Sequence, residues 1–234
     1  MKSILGSLLF LMSASPLPAA GDLTGFPFQN ETLRYNVNWP SGLSLGEVVL
    51  SASKSDKGWS FESEVNIGIP GLPIADKYSS QMGADYCSVE LNRTLSRGKK
   101  KNTEKTTFDQ KRGRAIRQTL FPEGGGKTDF DIPVCGRDAL AFLYFTRKEL
   151  GQGRMPAPGK LYFGGEYSVR MEYTGAMNIP VGGKQTVTDH VNVWIKGPAS
   201  SVTFETFFAR DAARTPLLVK VPVAVGTLSL ELAR

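Results

Sequence analysis

Alternation constrains this chain more than any other feature. In ETLRYNVNW, residues 31–39, Leu33, Tyr35, Val37 and Trp39 are interleaved with Arg34, Asn36 and Asn38. Side chains along a strand point to opposite faces in turn, so a period of two marks a strand with one buried face. Pro40 and Gly42 break the pattern. It resumes in LGEVVLSASKS, turns at Asp56-Lys57-Gly58 and continues in WSFESEVNIGI, which predicts a hairpin. Further extended stretches are predicted around residues 78–82, 105–108, 115–121, 167–173, 185–194, 202–209, 217–223 and 226–232.

One segment does not alternate. RDALAFLYFTRKELGQG begins with Asp138 as a helix cap and closes with Arg147, Lys148 and Gly151, which predicts a single helix. Leu140, Leu143 and Tyr144 fall on one side at helical spacing, flanked by Phe142 and Phe145. A helix apolar around most of its circumference needs cover, and a large antiparallel sheet needs either closure or something on its apolar face. The expected fold is therefore mainly β: a strongly curved antiparallel sheet or partly open β-barrel of about ten strands, with one helix packed on or in it. Leu140, Leu143 and Tyr144 are the candidates to line its cavity.

The first twenty residues carry one early charge, Lys2, then an apolar run from Ile4 to Met12 and small residues ahead of Gly21. This is the pattern of a secretory signal peptide, and residues 21–234 are read as one β-rich domain. No later segment approaches the roughly 18 apolar residues of a membrane-spanning helix. Export to an oxidising compartment makes a disulfide between Cys87 and Cys135 the first reading; a redox or metal-binding thiol pair is the alternative, without close C-x-x-C spacing. The formal charge of +6 is mildly basic and speaks only to affinity for anionic surfaces.

Three motifs suggest chemistry that their context does not support. Gly42-Leu43-Ser44-Leu45-Gly46 has the spacing of a nucleophile elbow, but that device needs a helix after the serine, and EVVLSAS is strand-like. Asp189 and His190, adjacent in a strand, would face opposite ways and cannot complete a triad with Ser44. GGGKT at 124–128 lacks the earlier glycine of a phosphate loop, and no helix follows it, so it reads as a flexible loop. His190 has no neighbours at metal-ligand spacing. No catalytic residue, metal ligand or cofactor is assigned; a carboxylate hydrolase would require two acids brought together from distant parts of the chain.

Two features bear on binding. Between Arg97 and Arg117 the cations, Lys99, Lys100, Lys101 and Lys105 among them, are opposed only by Glu104 and Asp109. They form either a solvated hairpin guarding a sheet edge or a contact for anionic lipid or glycan. Nucleic acid is not expected, because no aromatic interleaving supplies base stacking. In VNIGIPGLPIADKY, residues 65–78, Ile67, Ile69, Leu72 and Ile74 surround two prolines and a glycine in a loop-like context. They either fold back as core or form the mouth of an apolar pocket.

FPFQNETLRYNVNWPSGLSLGEV, RDALAFLYFTRKEL and FFARDAARTPLLVKVPVAVGTLSLEL occur in that order. Together they resemble the exported bacterial proteins grouped as domain of unknown function 3108. The resemblance implies a periplasmic protein built on a curved antiparallel sheet, with a distant architectural likeness to periplasmic lipoprotein carriers, and it carries no catalytic residues. Asp211 and Arg214 are read as a structural turn, with Asp211 bonding the backbone two residues on and Arg214 pairing with Asp211 or Asp138. The expected function is non-enzymatic binding or carriage of an apolar or lipid-like envelope component. The alternative is a structural or interaction module with an envelope protein as partner.

Overall fold

The structure, a computed structural model, describes residues 30–69, 71–224 and 226–233. The expected signal peptide lies outside the described residues. The first half of the chain is a meander of β1 (Asn30–Asn38), β2 (Ser44–Ser55), β3 (Gly58–Ile69), β4 (Leu72–Met82), β5 (Ser88–Arg97), β6 (Lys100–Asp109), β7 (Arg114–Phe121) and β8 (Lys127–Asp131). A crossover follows, made of β9 (Arg137–Asp138) and α1 (Ala139–Gly151). The second meander comprises β10 (Gly159–Tyr162), β11 (Glu166–Val181), β12 (Lys184–Lys196), β13 (Ser201–Ala209), β14 (Pro216–Val223) and β15 (Gly226–Leu232). Its last strand returns to pair with β1, so all the strands join one open sheet with β8 and β9 at its edges. Every pairing is antiparallel except that of β9 with β10.

The sheet has 15 strands rather than about ten. β5 has no apolar period to show, because its inward row, Leu91, Arg93 and Leu95, is interrupted by a cation held by Glu104 across the strand pair. β8 is a short, polar edge strand where the sequence suggested loop, and β9 and β10 have only two and four residues, too few to show a period. The stretch 65–78 is likewise no loop: it is a tight hairpin paired from Ile69↔Leu72 back through its length.

The helix sits between the two halves of the curled sheet. Asp138 caps it, its Oδ1 accepting from the Leu140 and Ala141 amides at 2.9 and 3.1 Å. At the other end Gly153 (φ +71°) closes a Schellman motif, its N–H bonding Leu150 O and that of Arg154 bonding Glu149 O. The terminating glycine is thus Gly153. Gly151 stays helical, and a Cβ there would lie 3.4 Å from Ala212 O. One helix face, Leu140, Ala141 and Tyr144, packs on Ala52, Trp59, Phe61, Tyr78 and Met82. Leu150 packs oppositely, on Val191 and Phe208. Cover on both sides is what the all-round apolar character of this segment required.

The ends of the sheet meet as it curls. Tyr162 of β10 joins Leu91, Phe108 and Ala115 of β5, β6 and β7 in one cluster. Beside it the β10–β11 turn presents Gly164, whose carbonyl accepts from Arg117 and whose Cα faces Arg93. A Cβ on Gly164 would fall 1.2 Å from the Arg93 guanidinium, and its φ is +75°, so glycine is required twice over. The Cys87–Cys135 disulfide ties the β4–β5 turn to the crossover segment.

Candidate functional site

The curl does not fill its own interior. Between the helix and strands β10–β15, β1 and β2 lies a cavity of about 300 Å³. The helix contributes Ala139, Phe142, Leu143 and Thr146. β11 and β12 contribute Val169, Met171, Val193 and Ile195. Phe204, Phe208 and Val219 come from β13 and β14, and Tyr35, Val48, Leu50 and Leu230 from the strands that join the two meanders. Each is placed by strand alternation: Leu230, Val219 and Thr206, for instance, lie in one cross-strand row on the concave face. Among the described residues the polar side-chain groups on the wall are the hydroxyls of Tyr35, Thr146 and Thr206. Burial raises the Tyr35 phenol well above its ordinary range, and its hydroxyl donates to Pro216 O at 2.8 Å. At neutral pH the wall is therefore uncharged.

Charge is held just behind it. Arg147, fully buried, forks onto Glu31 through Nη1 and Nη2 at 2.7 and 2.9 Å and donates from Nε to Ala213 O at 3.0 Å. Tyr144 stacks on Phe61 and donates to Glu31. At the helix start, Asp138 Oδ2 accepts from Ser80 and Ser88 hydroxyls, both at 2.6 Å. Complete burial raises its carboxyl above the usual range, with the two serine hydroxyls and the helix amides pulling the other way.

The candidate lining residues are divided by this arrangement. Leu143 faces the cavity, whereas Leu140 and Tyr144 occupy the opposite helix face. The stripe that lines it, 139, 142, 143 and 146, has the same periodicity and could not be told apart from sequence because both faces are apolar. Ile67, Ile69 and Ile74 are half-buried at the β3–β4 hairpin tip and do not line the cavity; the Leu72 side chain lies outside what is described. Of the lysines, Lys105 is committed to Glu90 at 2.8 Å, which holds that carboxyl below its usual range. Lys99, Lys100 and Lys101 are exposed at the β5–β6 tip, with no ion pair among the described residues. Alternate turns of an antiparallel meander share one end of the sheet, so this tip, the β3–β4 tip and the turns after β1, β12 and β14 lie together.

The remaining sequence candidates resolve simply. Ser44 is exposed and opens β2 opposite Asn38, and no helix follows it. Gly46 is a strand glycine (φ +147°) whose Cβ would strike Asn66 O at 2.0 Å. Asp189 and His190 do point apart: the first meets Tyr173, Arg210 and Arg214, the second Thr174 and the Phe207 ring. Arg214 pairs with neither Asp211 nor Asp138, because both acids are engaged, by Thr215 and by the serines and helix cap. Asp211 reaches the amide four residues on rather than two. Among the described residues no cluster of three His, Cys, Asp or Glu could hold a metal. Among the described residues the buried acids Asp76, Asp138, Glu149 and Asp189 and the partly buried Glu31 and Glu104 each meet a cation or hydroxyl donors, not a second acid. Among the described residues no helix is long and apolar enough to cross a membrane.

A curled antiparallel sheet with a helix inside it belongs to the barrel-like β proteins. The chain is similar to a solved structure of that kind, the β-barrel-like protein of domain of unknown function DUF1849 from Brucella abortus. The match covers 90% of this chain and 98% of that one, with a TM-score of 0.63 at 8% identity, a likeness of fold alone. The chain itself belongs to the family described as protein of unknown function DUF3108, whose model matches residues 34–233. No curated protein matches it.

Proposed function

We propose that the protein is a non-enzymatic periplasmic binding or carrier protein for an apolar, lipid-like component of the envelope. The observation that carries this reading is the apolar cavity, walled by aliphatic and aromatic side chains and without a charged group. Such a wall, with three hydroxyls and no charged side chain, suits a hydrocarbon chain. The exposed Lys99, Lys100 and Lys101 favour an anionic head group or surface nearby. Native mass spectrometry of protein purified from its own cells without detergent tests it. A stoichiometric lipid-sized adduct that leaves on denaturation is expected. A bare protein mass that persists after incubation with envelope lipids would overturn it.

A second reading, an interaction module in envelope assembly, draws on one feature. β7 exposes Ile116, Leu120 and Phe121 beside the unpaired edge of β8. It predicts the bare mass together with crosslinks to another envelope protein through that edge.

A further inference from the structure

Separate from the apolar cavity, and independent of the reading drawn from it, is a second cavity of about 280 Å³ at the end of the helix, walled by Leu150, Arg154, Tyr173, Asp189, Arg210 and Arg214 among others. Its charge is unbalanced. Asp189 is shared by Arg210 (3.3 Å), Arg214 and the Tyr173 hydroxyl (3.2 Å). Nearby Glu149 is shared by Lys148 (3.1 Å) and Arg154 (2.8 Å). On the pocket wall itself, among the described residues, one acid, Asp189, therefore faces three cations, Arg154, Arg210 and Arg214. Arg214 Nε is also buried with no hydrogen-bond partner among the described residues. An internal ion network that only fastened the β13–β14 turn would need one arginine on Asp189. Here a second arginine and a tyrosine hydroxyl line the same small space. Forked guanidinium donors match the oxygens of phosphate and carboxylate, and a partly desolvated site strengthens that pairing.

We infer that this pocket binds a small oxyanion, a phosphate or carboxylate, free or as the terminal group of a larger ligand, between Arg210 and Arg214. Arg210, half-exposed at the rim, supplies the open fork, and Arg214 supplies the inner donor.

Isothermal titration of the purified protein with inorganic phosphate, and separately with dihexanoylphosphatidic acid below its micellar concentration, tests this at constant ionic strength set with sodium chloride. Saturable one-to-one binding with a Kd below about 1 mM is expected for at least one probe, weakened about tenfold or more by Arg210→Gln. Equal affinities would identify a free anion as the ligand class, and a preference for the lipid would identify a head group. Arg210→Gln is the primary variant because its side chain is exposed enough to leave the fold intact, which an unchanged Tm without ligand verifies. Tyr173→Phe is the second variant and should weaken binding by a smaller factor. Absence of saturable binding to both probes overturns the inference. So does binding unchanged in Arg210→Gln, or binding abolished by replacing Lys99, Lys100 and Lys101 with serine.

Discussion

Leu143→Trp separates an empty, ligand-ready cavity from a packed interior. Leu143 projects from the helix into the 300 Å³ space and is only half-buried. At about 30 Å³ per water-sized group the cavity has room for about ten methylenes. At about 0.8 kcal/mol per buried methylene their transfer contributes about 8 kcal/mol, which corresponds to a Kd near 1 μM before association costs weaken it. An indole in place of the leucine side chain adds about 60 Å³ and displaces about two of those groups. That removes about 1.6 kcal/mol, a loss of about fifteenfold in affinity. The assay is the emission of a dansylated undecanoic acid titrated with wild-type and variant protein. Stability is the control, since overpacking a filled core costs about 1–3 kcal/mol whereas filling a void costs little. Unchanged probe affinity, or a variant destabilised by about 3 kcal/mol, would refute the reasoning: the first removes the cavity as the binding site, the second removes the void.

Four further outcomes follow from the same geometry. Asp138→Ala strips the helix cap and leaves Ser80 and Ser88 hydroxyls unpaired in the interior, and should cost about 3 kcal/mol in urea unfolding. Arg147→Met leaves the Glu31 carboxylate without its cation, the Tyr144 hydroxyl still donating to it, and should cost about 3–5 kcal/mol, with Glu31→Leu in the same chain recovering a large part of it in a double-mutant cycle. Reducing the Cys87–Cys135 bridge, 48 residues apart, should lower stability by about 4 kcal/mol on the chain-entropy account, measured by denaturant unfolding with and without dithiothreitol. Burial raises Tyr78 to about 12 and raises Tyr35 and Tyr144 above the ordinary tyrosine range. The unfolded chain ionises first, so the stability these groups lend is complete below pH ~10 and declines above it by about 1.4 kcal/mol per pH unit for each tyrosine. Absorbance at 295 nm should show them ionising only as the chain unfolds.

What the sequence disclosed was decided by periodicity. β1 and the first half of β11 alternate because one face is apolar and the other solvated, and they were legible, as were the extended stretches of β2, β3 and β12–β15; the second half of β11, after Tyr173, was not. β5 and β8 were not, since their inward rows carry Arg93 and polar residues whose partners come from other strands. The helix was legible as an element but not in its orientation. With Leu140, Phe142, Leu143 and Tyr144 all apolar, only the sheet wrapped around it decides that Leu143 faces the void and Tyr144 meets Phe61. Cavity walls drawn from β1, β2 and β10–β15 are a product of strand order, and no local signal in Val169 or Val219 announces it. The Asp189–Arg214 pairing is non-local in the same way, although Arg214 lies beside the turn that the sequence did single out.

The interior is unevenly provided for. On the β3–β6 side it is filled and cross-braced, with Asp76 taking Tyr78, Ser96 and Arg97, and Arg93 taking Glu104 while its guanidinium stacks on Phe163. Both ends of the helix are fixed by buried polar contacts, at Asp138 and at Arg147. Those restraints fix both ends of the helix, so the space beside its Phe142–Leu143 stretch is kept from collapsing. A void left empty costs about 24 cal/mol per Å³, so 300 Å³ represents about 7 kcal/mol, of the same order as the roughly 5–15 kcal/mol net stability of a whole domain. The walls include Val169, Val193 and Val219, any of which could be enlarged to close part of the gap without a buried polar group in the way. A rigid frame around an apolar space that simple substitutions could fill is what a site for an exchangeable hydrocarbon requires, because an occupant returns the cavity energy on entry and the frame persists when it leaves.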